Sequence, residues 1–571
     1  MGKLPLVALV AVGLLILTSG CSSGSGAGGG STTSSGSGSG SGGSSGSGGG
    51  SGSGGGSGSG GGSSAASSVI QVLTYHDDNA RTGQNLLETT LTPSNVNQGS
   101  FGKVNFLATD GKVDGQPLYV PGVTIAGASH NVLYVVTEHD SIYAFDADSG
   151  AGLWHVSALL ANETPSDPRN CGQVTPEIGI TATPVIDPKA GPNGEMFLVA
   201  YSKDASGAYH QRLHALDITT GAEIQGSPIA IQASFPGSGP LSNNGQVVFD
   251  PAQYKERAGL LLLNGTVYLA FSSHCDIEPY TGWVMGYNES SLAQSTVINL
   301  TPNGSEGSIW QSGAGPAADS DGNIYFLDAN GTFDTNLNAQ GMPDKGDYGN
   351  AFMKLSTAGG KLAVADYFTM SNTVAESNAD QDLGSGGALV LPDQTDAAGT
   401  VHHLTVGAGK DQNIYVADRD NMGKFNPSSN NIYQELPGAL AGSEFAMPAY
   451  WNGTVYFGAV NDTIHAYPVT NAKLATSPAS VTAHTFSYPG ATPSISANGT
   501  SGAILWAVDN SSPAVLYAYD ATNLAHELYD SNQAGTRDQF GPGNKFITPT
   551  IANGKVYVGT QTGVAVFGLL Q

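Results

Sequence analysis

The chain has 571 residues, 46 of them acidic and 20 basic, so its formal net charge is −26. A charge this negative argues against non-specific binding to nucleic acid, which depends on lysine and arginine side chains that neutralise phosphates. It also argues against adsorption onto anionic lipid. The length is compatible with one long β domain preceded by a low-complexity segment.

The first predicted element is a secretion signal. A short basic start precedes the apolar run Leu4–Leu17, which is shorter than the roughly 20 residues that span a bilayer. The run ends in Thr18-Ser19-Gly20-Cys21, which resembles the bacterial lipobox, although the residue three before the cysteine is usually Leu. Residues 1–21 are therefore predicted to be a lipoprotein signal peptide, with lipidation at Cys21. An ordinary secretory signal and an uncleaved anchor are the alternatives.

Residues 22–68 form the second predicted element, a tether. They are almost all Gly and Ser and cannot bury a core, so we expect a disordered coil that spans roughly 40 Å. Ser22 after the cysteine resembles the sorting pattern of outer-membrane lipoproteins. The prediction is a folded head, residues 69–571, lipid-anchored at the bacterial cell envelope, at the outer membrane more than the inner. The head would be periplasmic or extracellular.

From Val69 onward one strand pattern recurs, most clearly in Asn131–Val156. Its strands alternate with period two and are apolar on both faces, as stacked propeller blades require. Asn-Gly pairs such as Asn264-Gly265 supply the positive φ angles of tight hairpins. The pattern predicts an all-β propeller of about eight four-stranded blades. Seven is the alternative, because residues 352–401 are weakly patterned.

The last copy of the pattern, Phe546–Leu570, has only three strands. A strand near Lys103–Thr109, at the start of the head, would supply the fourth. Such a strand would close the ring and remove exposed strand edges, which are a hazard for open sheets.

The repeats resemble a known family. Residues 133–156, LYVVTEHDSIYAFDADSGAGLWHV, and 555–568, KVYVGTQTGVAVFG, are similar to the PQQ-type propeller repeat. Residues 75–85 and 176–187 resemble a bacterial branch of these proteins. The resemblance implies one of two functions. Some members are quinoprotein dehydrogenases that bind pyrroloquinoline quinone (PQQ) and Ca²⁺ on the propeller axis and oxidise alcohols or sugars. Others are cofactor-free propellers, including outer-membrane assembly lipoproteins, that bind other proteins.

A candidate site comes from polar residues that end the second strand of successive repeats. The residues at this position are His139, Lys203, His274, Asn330 and Lys410. If equivalent positions point to one end of the axial channel, His139, Lys203, His274 and Lys410 form an electropositive ring. Such a ring suits an anionic small ligand such as a polycarboxylate. Asp140, Asp276 and Asp411 follow closely, either as metal ligands or as partners of those cations. The alternative is an ordinary wet channel lined by polar groups.

Other residues carry weaker signals. Cys171 and Cys275 are left as a pair that forms a disulfide if their Cα atoms approach closely enough. Glu177 is interpreted as a surface-turn residue, Trp310 as a core or inter-blade residue, and Arg419 as part of a structural ion pair with its acidic neighbours.

Two functions follow. The first is a binding module at the cell envelope, anchored to the membrane through its lipid, with a protein or glycan partner at a propeller face and no assigned cofactor. The family's frequent vicinal Cys-Cys pair and the C-x-x-C-H haem motif are absent, which favours this interpretation. The alternative is a PQQ- and Ca²⁺-dependent dehydrogenase that passes electrons to an external acceptor.

Overall fold

The computed structural model describes residues 69–169, 171–240 and 242–571. Cys21 and residues 22–68 lie outside this part of the chain, so the lipidation of Cys21 and the disordered tether stay predictions. Eight sheets follow one another along the described residues, each with at least four strands. Their pairing is antiparallel, except that Gln84–Asn85 adds a parallel strand beside Ser494–Asn498. We number them blades 1 to 8 in chain order and give the strands from the innermost outward.

The first four blades have the following strands. Blade 1 has Leu118–Ile125, Ala128–Val136, Ser141–Asp146 and Gly152–Ser157. Blade 2 has Val185–Asp187, Glu195–Asp204, Tyr209–Asp217 and Ile229–Ala230, with Glu163–Pro165 added beside the second strand. Blade 3 has Tyr254–Glu256 and Leu261–Leu263 in the first position, then Thr266–Ser273, Trp283–Asn288 and Gln294–Asn299. Blade 4 has Ala317–Ala318, Asn323–Leu327, Phe352–Ser356 and Ala363–Phe368.

The second four blades repeat the arrangement. Blade 5 has Ala388–Val390, Leu404–Ala408, Ile414–Asp418 and Gln434–Leu436. Blade 6 has Ala449–Trp451, Thr454–Phe457 and His465–Thr470, with Lys473–Leu474 and Ser480–Val481 outermost. Blade 7 has Ser494–Asn498, Ser501–Asp509, Val515–Asp520 and Glu527–Asp530. Blade 8 has Thr550–Ala552, Lys555–Gly559, Gly563–Leu569 and Phe101–Ala108.

A few elements lie outside the blades. One short sheet joins Ser234–Pro236, Ser242–Asn243 and Gln246–Val248, and another joins Gln394–Thr395 to Val401–His402. The α-helix Thr373–Asn378 and the 3₁₀ turns Gln311–Gly313, Ala358–Gly360, Leu383–Ser385 and Gly535–Arg537 lie in connections. Within the described ranges, no helix is both long and apolar enough to cross a bilayer.

The structure confirms the all-β propeller and the closing strand. Phe101–Ala108 pairs antiparallel with Gly563–Leu569, so the start of the head completes the last blade. The weakly patterned residues 352–401 hold two strands of blade 4 and the first strand of blade 5, which gives eight blades. The Asn264-Gly265 turn has φ of 51° and 73°, as a tight hairpin with two positive φ angles requires.

Buried apolar side chains hold adjacent blades together. The fully buried Trp283 lies in a cluster shared by blades 2 and 3, and Trp506 lies in one shared by blades 7 and 8. The cluster that contains Leu133 and Leu198 also contains Tyr557, so it joins blade 8 to blades 1 and 2 and completes the ring. Both faces of the central strands are therefore covered, which explains why their sequences are apolar on both faces.

Residues 72–85, which we call the axial strap, cross the channel between the blades. The strap hydrogen-bonds to the innermost strand of every blade. In blade order, the partners on those strands are Tyr119, Ile186, Leu262, Ala318, Val390, Tyr450, Ile495 and Ile551. At its centre Arg81 is fully buried and donates to the carbonyl oxygens of Pro316 and Leu260 at 2.9 and 3.2 Å. The strap thus fills the middle of the ring and satisfies backbone groups that would otherwise be unpaired.

Candidate functional site: the axial cavity

A cavity of about 830 Å³ lies on the propeller axis. Its lining comes from the segments that precede the innermost strands and from the ends of the second strands, so the blades contribute from all around the ring. The strap lies beyond it, since Tyr75 Oη hydrogen-bonds to Thr548 Oγ1 at 3.2 Å, two residues from the lining residue Phe546. The cavity is large enough for a ligand of cofactor size.

Four aromatic side chains cluster in the cavity, each from the segment before a different blade: Trp310, Phe445, Tyr488 and Phe546. The ring centroids of neighbouring pairs are 5.6 to 6.5 Å apart, with interplanar angles of 60° to 82°. Cations lie over three of these rings. Arg257 stands 4.8 Å from the Phe546 centroid, Lys545 5.6 Å from Tyr488 and Lys410 6.0 Å from Phe445. The cluster therefore presents apolar walls with positive charges already placed on them.

One side of the cavity holds buried charged groups. Lys255 Nζ lies 4.0 Å from Glu138 Oε1, and Arg257 Nη1 lies 3.7 Å from Asp114 Oδ2. Glu138 accepts hydrogen bonds from the Gly179 N–H at 2.7 Å and from a threonine hydroxyl at 2.8 Å. Lys255 is 5% exposed, and its ammonium has no hydrogen-bond partner within residues 69–571 as described. An unpaired buried ammonium is costly unless another group compensates it.

Burial shifts the pKa values of this group. It lowers the pKa of Lys255 to about 8 and raises that of Glu138 to about 7. For Asp114 burial acts upwards, but its hydrogen bond with Glu138 and the charge of Arg257 bring its pKa below the usual value. Burial and nearby cations also lower the pKa of Lys545. Glu138 is therefore protonated more readily than Asp114, and cationic side chains outnumber carboxylates on this side of the cavity.

The opposite side of the cavity is acidic. Lys410 Nζ lies 2.6 Å from Asp380 Oδ1 and 3.7 Å from Asp382 Oδ2. Trp310 Nε1 donates to the same Asp382 oxygen at 2.8 Å. Burial raises the pKa of Asp382 to about 6, and burial together with a neighbouring carboxyl group raises that of Glu306 to about 7. Lys410 thus has two nearby carboxylates, whereas Lys255 has Glu138 at 4.0 Å and no hydrogen-bond partner among the described residues.

The structure brings only two of the seven predicted cofactor and metal residues, Lys410 and Asp276, into the cavity lining. Asn330 also lines it, and so does Glu177, in contrast to the surface turn that the sequence predicts for it. Trp310 lines the cavity too and belongs to the aromatic cluster described above.

The other three predicted cations do not line the cavity. His139 is 44% exposed and lies 2.9 Å from Glu177 Oε1. Lys203 forms an ion pair with Asp167 at 3.0 Å. His274 is almost fully buried, and burial lowers its pKa to about 4, so its ring is neutral at physiological pH. The predicted electropositive ring of these residues is not assembled.

The remaining predicted metal ligands also lie elsewhere. Asp140 is fully buried at φ 56°, and burial raises its pKa well above the usual value. Asp411 accepts hydrogen bonds from Tyr415 Oη and Asn413 Nδ2. Arg419 forms its ion pair at 3.0 Å with Asp319 rather than with its sequence neighbours.

These residues lie at or just after the ends of the second strands, which end at Val136 in blade 1 and at Ser273 in blade 3. Glu138 lines the cavity whereas the next residue, His139, does not. Ser273 and Cys275 line it whereas His274 between them is buried. Beyond the strand end the direction of a side chain follows the local turn, and the connections differ in length from blade to blade.

Sequence reasoning missed most of the residues that form the site. Asp114, Phe445 and Phe546 each stand three residues before a proline that directly precedes an innermost strand. That recurring position was a usable signal. Another was the charged run 255–257, KER, next to the buried strand Leu261–Leu263 in a chain with only 12% charged residues.

A disulfide joins Cys171 to Cys275, with their Cα atoms 6.0 Å apart. Cys275 lines the cavity, and so do residues 173–175 and 177 beyond Cys171. The bond therefore ties a loop at the cavity wall to blade 3, and it closes a sequence separation of 104 residues.

Replacing both cysteines with serine is expected to lower the free energy of unfolding by about 2 to 4 kcal/mol, because the unfolded chain regains the entropy of the opened loop. Urea denaturation of the oxidised protein and the double variant measures the difference. The wild-type midpoint should fall on reduction and that of the double variant should not move. Equal midpoints for oxidised and reduced wild type would show that the bond adds no stability.

Comparison with known proteins finds the same architecture. No family profile matches the chain, and no curated protein is similar to it in sequence. The quinohemoprotein alcohol dehydrogenase of Comamonas testosteroni superposes with a TM-score of 0.59 at 12% identity, over 89% of this chain and 82% of that one. The chain has a quinoprotein-type propeller fold.

Two further solved structures superpose on the chain with the same fold. A quinohemoprotein alcohol dehydrogenase from Pseudomonas putida HK5 gives a TM-score of 0.57 at 13% identity, over 88% of this chain and 80% of that one. A europium-containing methanol dehydrogenase gives 0.54 at 13% identity, over 87% and 98%. Identities this low establish the quinoprotein-type fold and leave the activity open.

The resemblance to quinoprotein dehydrogenases implies two cofactors, PQQ and Ca²⁺, and the cavity lining suits the first better than the second. Lys255, Arg257 and Lys545 could hold the carboxylates of PQQ, and Trp310 or Phe546 could face its planar ring. Calcium needs six to eight oxygen ligands, and the described residues contain no group of three or more His, Cys, Asp or Glu side chains placed to hold a metal ion. The residues thus suit a planar polyanion better than its metal.

Proposed function

We propose that this chain is a binding protein of the bacterial cell envelope, anchored through Cys21, whose axial cavity takes a small anionic ligand. The observation that carries the proposal is the Lys255 ammonium, which is buried at the cavity without a hydrogen-bond partner in the described part of the chain. An anionic group of a ligand would supply that partner. A charged hydrogen bond to this buried ammonium would be stronger than one between neutral groups.

The surroundings narrow the ligand further. Arg257 and Lys545 stand beside the same electropositive side, and Lys545 has no ion-pair partner within the described ranges. The aromatic cluster next to them suits a flat or ring-shaped body. A ring that carries two or more carboxylates satisfies both features. Tyr488, at the cavity, and Ile277, next to the lining residue Asp276, are each 44% exposed, which supports a protein or glycan partner at the same face.

Calorimetric titration of the purified full chain in detergent with benzene-1,2,4-tricarboxylate tests the proposal. We expect binding that Lys255→Met weakens at least roughly tenfold, because loss of one charged hydrogen bond costs about 1.5 to 3 kcal/mol. Lys361→Met, at an exposed position, is the matched control and should bind like wild type. Absence of heat with millimolar ligand, or equal affinities for Lys255→Met and wild type, would overturn the proposal.

A second candidate is a PQQ-dependent dehydrogenase. The quinoprotein-type fold and the cations of the cavity favour it. When bound, PQQ would supply a two-electron acceptor for alcohol or sugar oxidation. Adding PQQ with and without Ca²⁺ to the same titration, followed by a dye-reduction assay with alcohols, separates the two functions. Turnover would establish the dehydrogenase, whereas binding without turnover would leave the chain a binding protein.

A further inference from the structure

Two lysines of the axial cavity have opposite surroundings. Lys410 Nζ is held by Asp380 at 2.6 Å and by Asp382 at 3.7 Å. Lys255 Nζ has only Glu138 Oε1, at 4.0 Å, and no hydrogen bond within the described ranges. An amine held by two carboxylates stays protonated and inert. A desolvated amine among other cations is the arrangement that makes a lysine nucleophilic.

We infer that Lys255 is a nucleophilic amine and that the axial cavity takes a small carbonyl compound with a carboxylate or phosphate group, which condenses with Lys255 Nζ to an imine. This inference rests on the proposed function, because the anionic group of the carbonyl compound uses the same cations. It adds a covalent step to that binding site.

The step balances without any further reactant. The nitrogen lone pair of the neutral amine attacks the carbonyl carbon, and the carbon–oxygen π bond opens to a carbinolamine. The two hydrogens of the amine then leave with the former carbonyl oxygen as water, and a C=N bond forms. Nothing is oxidised or reduced, and the addition of water reverses the reaction.

The charged groups that face Lys255 determine how much of it is neutral. Burial is the main cause that lowers its pKa to about 8, and the positive charges of Arg257 and Lys112 act in the same direction. Glu138 and Asp114 oppose them. A lysine in water has a pKa near 10.4, so at pH 8 the neutral fraction of Lys255 exceeds that of an exposed lysine by roughly two orders of magnitude.

Two neighbouring cations would select an anionic carbonyl compound. Arg257 lies over the ring of Phe546 and Lys545 over that of Tyr488, so both charged groups are placed before a ligand arrives. Both line the same cavity as Lys255, and the charge of Arg257 acts on both lysines, so an anion bound by these cations lies in the same part of the cavity as Lys255. Prior placement of the reacting groups is what raises the rate of such a condensation.

Glyoxylate and sodium cyanoborohydride test the inference on the full chain. The hydride reagent traps the imine as a stable secondary amine, and peptide mass spectrometry shows which lysine carries it. At pH 8 we expect Lys255 to be modified at least roughly tenfold faster than Lys410 or the exposed Lys361. The rate at Lys255 should rise with pH and be half-maximal near pH 8. Methyl glyoxylate, which has no charge, should lose most of this preference.

Two variants provide the controls. Lys255→Met should keep the fold, shown by its melting temperature, and lose the fast modification. Arg257→Gln should slow the reaction with glyoxylate more than that with methyl glyoxylate, which should slow only as far as the loss of the Arg257 charge raises the pKa of Lys255. A rate at Lys255 no greater than at Lys410 would overturn the inference, and so would equal rates for the anionic and neutral aldehydes.

Oxalate separates this inference from the proposed function, because it is an anion without a reactive carbonyl group. Oxalate binding in the calorimeter without fast modification of Lys255 would overturn the nucleophilic amine and leave the anion site in place. Absence of fast modification together with no binding of either oxalate or benzene-1,2,4-tricarboxylate would overturn both.

Discussion

Replacing Arg81 with methionine is expected to lower the free energy of unfolding by at least about 3 kcal/mol. The Arg81 side chain is fully buried in the axial strap. It donates hydrogen bonds to the carbonyl oxygens of Pro316, Leu260 and Tyr75 at 2.9, 3.2 and 2.7 Å, and to Thr74 Oγ1 at 2.7 Å. Methionine fills similar space but leaves these buried acceptors unpaired.

Urea denaturation followed by tryptophan fluorescence measures this loss. Lys189→Met, at an exposed position in the loop after the first strand of blade 2, removes one positive charge without buried partners and should change the unfolding free energy by less than about 0.5 kcal/mol. Arg81→Lys keeps the charge and loses the planar set of donors, so it should resemble Arg81→Met. A loss below about 1 kcal/mol for Arg81→Met would show that the strap does not hold the ring together.

Replacing Lys255 with methionine is expected to stabilise the protein while it removes anion binding. At pH 6 the Lys255 ammonium is charged, buried and without a hydrogen-bond partner in the described residues. Methionine has no charge to desolvate and fits the apolar part of the same space. We expect the free energy of unfolding to rise by about 2 kcal/mol. Such a residue is retained for function at a cost in stability.

The pH dependence of the stability gain distinguishes removal of the buried charge from better packing of methionine. The pKa of Lys255 is about 8 in the folded protein and near 10.4 in an unfolded chain. The folded state therefore disfavours the charged form, and wild type bears the full penalty below pH 8. The penalty declines as the pH rises through the interval between the two values. The advantage of Lys255→Met should be complete at pH 6 to 7 and smaller at pH 9.5.

Lys410→Met is the matched variant from the same cavity. Lys410 is paired with two carboxylates, and its pKa is raised, chiefly by the charge of Asp382 acting against burial. Its removal leaves the buried Asp382 without a cation, so we expect a loss of stability instead of a gain. Wild-type stability for Lys255→Met at pH 6 would show that Glu138 already compensates the ammonium.

Much of the fold could be predicted because its causes are local. Strands such as Ala128–Val136 alternate with period two and are apolar on both faces, and pairs such as Asn264-Gly265 adopt the two positive φ angles of a tight turn. Three strands in the last repeat implied a fourth from elsewhere, which is Phe101–Ala108. These features predict a closed propeller, because closing the ring covers strand edges that would otherwise be exposed.

The candidate site was predicted only in part. Lys410 and Asp276 reach the cavity, but His139 and His274 do not. Both histidines lie just beyond the ends of the second strands, where the direction of a side chain depends on the local turn and on connections of unequal length. A comparison of repeat positions does not resolve these differences. The site is formed mainly by segments that precede the innermost strands, including Arg257 and Phe546.

The sequence by itself determined the strands and the turns, because each depends on residues that are close together in the chain. It also determined the closed ring, because the last repeat has three strands and needs a fourth from the start of the head. Only the tertiary structure decided what occupies the axis. Residues 72–85 have no period that marks them as a channel-filling strap, and their partners lie far away in the chain, as for Arg81 and Pro316 at a separation of 235 residues. The Lys255 ammonium likewise becomes buried, with no hydrogen-bond partner among the described residues, only when the ring closes around it, because burial and hydrogen bonding are properties of the packed molecule.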